Sequence, residues 1–322
     1  MRDITSIGEA LIDLTWAGNS PTGVPLYAAN PGGAPANVAV AAARLGARTA
    51  FLGMVGPDAF GRQLRQVLRS NGVDDHGLLT GQSPTTLAVV SVDGNGERSF
   101  SFLRGADGEL SADEVEEKEL EAGKILHFGS VSLTPGRARS ATIFAARHAH
   151  RSGVLVSFDP NYREKIWQDR SQAAQWITMV LPLVDILKLS QEELPLAAGT
   201  EDLEEGTRRL EEGGISLILV TLGAEGVFCR WHGESFVVPG VRTKVADTNG
   251  AGDTFLGALL ARLCRRGEHP LEGLEREELR EILAFANRAA ALTCSRSGAI
   301  PAMPNLEEVN QAAQAEHLED LP

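Results

Sequence analysis

Short apolar runs of strand length alternate with helical segments over most of this 322-residue chain. Ile125 to Val131, Val154 to Phe158, Ile186 to Leu189 and Leu217 to Thr221 read as buried strands, and stretches such as Arg137 to His150 read as helices. This alternation predicts a doubly wound sheet with helices on both faces, a three-layer α/β/α sandwich. Polar residues recur at the predicted strand ends: Asp13, Asp159, Asn161, Glu193, Gly223, Asp247 and Asp253. Ligands of open α/β sheets collect beyond the carboxyl ends of the strands, so these positions are candidate contacts. No repeat or low-complexity linker divides the chain, which predicts one catalytic domain over residues 1–322.

One part does not suit a parallel sheet. Thr85 to Val92 and Arg98 to Leu103 alternate around Asp93-Gly94-Asn95-Gly96, a hairpin signal. The hairpin predicts a small β appendage or lid, with Phe100, Phe102 and Arg104 on or near it. Two aromatics at period two more often mark the packed face of a sheet. Ile4 to Leu14 reads as one buried strand with Asp13 near its carboxyl end.

Charge and motifs narrow the function. A net charge of -13 opposes a general nucleic-acid surface. No apolar run reaches membrane-spanning length. Three scattered cysteines without metal-ligand spacing suit a reducing cytoplasm, and no signal peptide is evident. The chain lacks a G-x-x-x-x-G-K-[ST] loop, a G-x-G-x-x-G turn after the first strand, a G-x-S-x-G elbow and an H-E-x-x-H pair. His148 and His150, two residues apart on a predicted helix, are expected to be solvated, and Asp58 to cap a helix.

Two glycine-bearing stretches carry the chemistry. Asp247-Thr248-Asn249-Gly250-Ala251-Gly252-Asp253 precedes the apolar run Thr254 to Leu260 and reads as a loop entering a helix. Unpaired N–H groups and partial positive charge at such a start suit a phosphate or developing oxyanion. A carboxylate beside an anion site makes sense where a hydroxyl loses its proton next to an incoming phosphoryl group. An ordinary helix start with an acidic first turn would show the same residues. The second stretch, Asn30-Pro31-Gly32-Gly33-Ala34-Pro35-Ala36-Asn37, enters a small-residue helix from Val38 to Leu45. Close helix packing explains its alanines but leaves Asn37, which can aim two hydrogen bonds at a polar ligand.

Together these stretches resemble the two signatures of the ribokinase-like (PfkB) sugar kinases, in the expected order and spacing. Gly8 to Asp13, Phe158 to Arg163, Lys188 to Glu193 and Gly298 to Pro301 are similar to the fructokinases of bacteria and plants within that family. The resemblance covers nearly the whole chain. It implies a ribokinase-like sandwich whose lid strands come from roughly residues 15–30 and 85–105. It implies ATP and Mg²⁺, activation by K⁺, a sugar acceptor and a possible homodimer through the lid.

By resemblance, Asp253 takes the proton from the sugar hydroxyl, Gly250, Ala251 and Gly252 donate N–H groups to the phosphoryl, and Arg163 pairs with its charge. Asp13, Gly32, Gly33, Asn37 and Asn161 would hold the sugar, with Phe100, Phe102 and Arg104 near it. Lys188, Ser190, Thr221, Gly223, Gly226 and Asn287 would frame ATP. Glu193, with Asp159 less directly, would organise Mg²⁺ through water. Asp247 and the main chain near Asn249, Thr293, Arg296 and Gly298 would hold K⁺. Asn249 and Ser190 depart from the commoner Thr and Asn. Tyr27 and the lid aromatics would separate fructose from 2-keto-3-deoxygluconate, ribose or a riboside, and Arg104 leaves room for a keto-acid. A sugar or nucleotide sensor on the same fold is a further alternative.

Overall fold

The computed structural model describes residues 2–92, 98–167 and 169–319, excluding the side chains of 90–100 and 316–319. In chain order the elements begin with β1 (Ile4–Ile7), β2 (Leu11–Asn19), β3 (Pro25–Gly32), α1 (Ala34–Arg44), β4 (Thr49–Val55), α2 (Ala59–Ser70) and β5 (Leu78–Thr80). There follow β6 (Leu87–Val92), β7 (Arg98–Leu103), α3 (Glu117–Glu121), β8 (Ile125–Gly129), α4 (Arg137–Arg151), β9 (Leu155–Asp159) and α5 (Arg170–Val180). The chain continues through β10 (Ile186–Ser190), α6 (Leu194–Ala198), α7 (Leu203–Glu212), β11 (Leu217–Thr221), β12 (Gly226–Trp231) and β13 (Glu234–Pro239). Three helices complete it, α8 (Ala251–Cys264), α9 (Arg276–Cys294) and α10 (Leu306–Glu319).

Nine strands form the main sheet in the order β13-β12-β11-β10-β9-β8-β1-β4-β5. Its centre is parallel, and β12 and β13 turn back antiparallel at one edge. Parallel strands need both faces covered, which explains why β1, β4 and β8 are buried throughout. One apolar core joins Phe128, Phe158 and Leu187 to α4 and α5. A second joins Ile4, Ile186 and Leu219 to α1, α8 and α9, and a third joins Ile12, Phe51 and Val55 to α2. The predicted three-layer sandwich is therefore present.

A second sheet, β3-β2-β6-β7, stands apart from the main one. Here the structure corrects the sequence reading, because Ile4 to Leu14 is two strands in two sheets. The chain leaves the main sheet at Gly8, whose φ of 150° breaks the extended run, and Leu11 starts the lid. Asp13 thus belongs to the lid rather than to a core strand. The hairpin of β6 and β7 pairs antiparallel as expected, while its turn at Asp93-Gly94-Asn95-Gly96 lies outside the described residues.

Smaller differences have local causes. Helix α1 starts at Ala34, four residues before the expected Val38, with Pro35 in its first turn, where a missing N–H does no harm. Asp58 caps α2 as expected, accepting from Gly61 N at 2.8 Å. His148 is not freely solvated, since its Nε2 lies 2.8 Å from Glu121 on α3. His150 is exposed.

Candidate active site

Between the lid and the carboxyl ends of the core strands lies a cleft of about 790 Å³. Leu11, Asp13, Thr15, Ala88 and Phe102 reach it from the lid sheet. Gly33, Asn37, Asn161, Arg163, Lys188, Ser190, Glu193, Gly250, Gly252 and Asp253 reach it from the body.

Asp253 stands in the first turn of α8 and is only 7% exposed. Its carboxylate accepts from Asn37 Nδ2 at 2.8 Å and from Asn161 Nδ2 at 3.0 Å. The two amides hold the oxygens in place without neutralising them. Burial pushes the Asp253 carboxyl above its ordinary range; Asn37 opposes the shift, Asp159 adds to it, and Lys188 and Arg163 oppose it. A buried, oriented carboxylate of raised pKa is a stronger base than an exposed one. Asn161 holds its position through a left-handed backbone at φ 43°.

The same helix start supplies an anion site. Gly250 precedes α8 at φ 74°, a conformation that suits glycine. The opening turn of a helix leaves N–H groups without intrahelical partners. Gly250 and Gly252 line the cleft, whereas Ala251 does not, and its N–H reaches Thr248 O at 3.3 Å. The structure thus separates Ala251 from the two glycines. Lys188 adds positive charge, because a Cβ on Gly252 would stand 3.0 Å from its Nζ. Lys188 is 6% exposed and pairs with Asp159 Oδ2 at 2.9 Å. Burial favours its neutral amine, but Asp159 and Glu193 outweigh it and raise the pKa, so the ammonium stays charged.

Asp159 is less available to a metal than the sequence suggested. Lys188 engages one oxygen and the Asn161 N–H, at 3.1 Å, engages the other. Glu193 accepts from Tyr162 N at 2.6 Å and Ser190 N at 2.7 Å while lining the cleft. Burial, reinforced by Asp159, pushes its carboxyl upward. Among the described residues no three His, Cys, Asp or Glu side chains gather as a metal cage. The donor set fits Mg²⁺, which keeps several waters and binds through one or two carboxylates plus substrate phosphates.

Asp247 ties together two segments near α8, accepting from Asn249 N at 3.0 Å and Gly298 N at 2.9 Å. Thr293 is fully buried, with its hydroxyl 3.0 Å from Thr254 Oγ1. Arg296 is joined by its side chain to Glu308. Each Asp247 oxygen thus accepts one N–H and keeps lone pairs that a cation could share.

Of the expected nucleotide residues, Lys188 and Ser190 line the cleft, whereas Thr221, Gly223, Gly226 and Asn287 lie outside it. The Thr221 hydroxyl donates to Leu189 O at 3.2 Å, and Gly223 is exposed just beyond β11. Gly226 is buried at φ 105°, where a Cβ would strike the backbone of Val238 and Gly240. Asn287 donates to Val238 O at 3.1 Å and Pro239 O at 2.9 Å, so its amide secures the end of β13.

On the lid, burial pushes Asp13 up to about 6, with Arg163 opposing and Asp253 adding to the shift. A Cβ on Gly32 would collide with the Asp13 carboxylate, so the glycine makes room for that side chain. Phe102 lines the cleft, but the Phe100 side chain lies outside the described residues. Arg104 turns away from the cleft, with Nη1 bonded to Val131 O at 3.0 Å and to Thr134, and Nε 3.1 Å from Asp107. Its Nη2 is buried and has no hydrogen-bond partner among the described residues.

Glu9, Thr15 and Arg170 line the cleft without having been singled out in the sequence. For Glu9 the available signal was the Gly8-Glu9 interruption of an apolar run. Thr15 is two residues beyond Asp13, on the same strand face.

The pfkB family carbohydrate kinase model matches residues 1–306. Fructokinase-1 of Zea mays is 40% identical over 316 residues, covering 96% of each chain. The Xylella fastidiosa fructokinase with bound ATP superposes with a TM-score of 0.91 at 34% identity, covering 98% of this chain and 100% of its own. A Vibrio cholerae O395 fructokinase double mutant, in fructose-, ADP- and potassium-bound form, superposes with a TM-score of 0.84 at 35% identity, covering 96% and 98%.

Proposed function

The chain belongs to the pfkB family of carbohydrate kinases, and on that premise we propose that it is an ATP-dependent fructokinase forming fructose 6-phosphate. One observation carries the mechanism. Asp253, oriented by Asn37 and Asn161, adjoins a helix start that Lys188 makes still more positive. The sugar lies between lid and body, with Asp13, Gly33 and Asn37 around its hydroxyls. Asp253 accepts the proton of the attacking hydroxyl. The N–H groups at Gly250 and Gly252, with Lys188 and Arg163, stabilise charge on the transferring phosphoryl. Glu193 would help hold Mg²⁺ brought with ATP, and the ion would supply neutralisation of phosphate charge. Closure of the lid excludes water and so favours transfer to sugar over hydrolysis.

ATP extends from the cleft towards Ser190, Thr221 and Gly223, and the buried Gly226 and Asn287 shape that edge rather than touch it. Asp247 and neighbouring main-chain oxygens would hold K⁺, which would steady the loop before α8. Exchanging K⁺ for Na⁺ therefore lowers kcat, and an enzyme indifferent to the exchange has no such site. The chain acts as one kinase domain, and its three free thiols suit the cytoplasm. No helix among the described residues is long and apolar enough to cross a membrane.

The lid exposes Trp16, Val24, Leu26, Tyr27 and Leu103 at 42–57%. Exposed apolar residues gathered on the lid suit a second copy of the chain, and we assign them to a homodimer. Sedimentation must then show a dimer that Trp16→Glu weakens; a wild-type monomer at micromolar concentration contradicts it. The substrate is tested by coupled ADP release with fructose, ribose, 2-keto-3-deoxygluconate, adenosine and aminoimidazole riboside. Fructose should give the highest kcat/KM, and silence with every acceptor would favour a sensor.

A further inference from the structure

Glu9 is a buried carboxyl in the cleft to which the mechanism above gives no task. It occupies the short break where the chain leaves β1 for β2 and is 2% exposed. Its Oε1 accepts from Ala34 N at 3.1 Å, just where the chain returns from β3 to α1. One side chain therefore joins both crossings between lid and body. Its backbone carbonyl also packs against Gly33 so closely that a Cβ there would collide with it.

The second oxygen is the informative atom. Glu9 Oε2 is buried and has no hydrogen-bond partner among the described residues, yet Glu9 lines the cleft beside Asp13, Gly33 and Asn37. Leaving such an atom unpaired carries a desolvation penalty, and bracing the turn through the other oxygen does not require it. Burial pushes the carboxyl up to about 8; its own backbone N–H opposes the shift, Asp107 adds to it, and Ala34 N–H and Arg104 oppose it. At neutral pH Glu9 is thus largely protonated and can donate to a hydroxyl.

We propose that Glu9 is a substrate-positioning residue: Oε1 holds the Gly33 turn while Oε2 hydrogen-bonds a sugar hydroxyl other than the one phosphorylated. That division is required because the reacting hydroxyl must face Asp253. The inference rests on the sugar-kinase reading, and it gives the cleft a discriminating contact at the lid hinge.

Three variants test it, each assayed for kcat and for the KM of sugar and of ATP. Glu9→Gln retains an acceptor and a donor and should keep the sugar KM within about threefold of wild type. Glu9→Leu removes both and should raise the sugar KM about tenfold or more, with the ATP KM within about twofold. A folded Leu variant with wild-type sugar KM, or one raising both KM values equally, overturns the proposal. If Glu9→Leu does not fold, Glu9→Asp decides, because the shorter carboxyl cannot reach both partners. It should raise the sugar KM at least about threefold while sparing that of ATP, and an unchanged value overturns the proposal. Wild-type turnover of fructose in the same assay judges the substrate separately. If another sugar is used, the comparison is made with that sugar.

Discussion

The proposed sugar half and the proposed nucleotide half of the site are built differently. Around the sugar, Asp253, Asn37, Lys188 and Glu9 are all less than 9% exposed and connected by hydrogen bonds, ion pairs or close approach to the cleft glycines. Towards the nucleotide, Gly223 and residues 242–246 are exposed, and the polar side chains bond to the protein's own backbone. The contrast follows from the chemistry. A proton and a phosphoryl group must move where charges are fixed and water is absent, because low polarity strengthens every electrostatic contact. Adenine needs only a surface from which product can leave. Changes in the first half should therefore alter kcat or the KM for sugar, and changes in the second should alter mainly the KM for ATP.

The largest effect is expected at Asp253. Asp253→Asn should lower kcat by about a hundredfold or more, the range for loss of a general base, while calorimetry still detects fructose and ATP. Near-normal turnover would remove it from that role. Next comes Lys188→Met, which leaves Asp159 and Glu193 buried without their cation. Breaking such a pair costs about 3–5 kcal/mol, so both the unfolding temperature and turnover should fall. An equally stable, active variant would show that the ammonium does not hold the anion site together. Asn287→Ala should have the smallest effect. Losing its bonds to Val238 and Pro239 should cost about 1–2 kcal/mol and raise the ATP KM a few fold with kcat unchanged. A drop in kcat instead would erase the distinction between the two halves.

The sandwich was legible because buried strands and helices leave distinct apolar patterns. Asp253 and Asn37 were legible as residues in glycine-bearing loops, but their contact was not. They stand 216 positions apart, and only the packing of α1 on α8 brings them together. The break at Gly8 was hidden for a different reason: Ile4–Ile7 and Leu11–Ile12 are both buried, so a switch between sheets leaves no gap in hydrophobicity. Arg104 and Asp159 show the limit of reading side-chain type. A charge near a predicted site is as easily occupied by an internal partner, here Asp107 and Lys188, as by a ligand. Gly226 and Asn287 belong to the same lesson, since their position near a strand end reflects how β13 is secured.

The central claim is that a buried carboxylate of raised pKa takes the proton from the sugar. Its most direct measurement is the pH dependence of kcat at saturating fructose and MgATP. Asp253 must be ionised to act, and burial holds its pKa above the ordinary carboxylate range. Turnover should therefore fall on the acid side with a midpoint above that range, about 3.9 for an unperturbed aspartate, while the protein remains folded. A rate that stays flat until ordinary exposed carboxylates titrate would contradict the account.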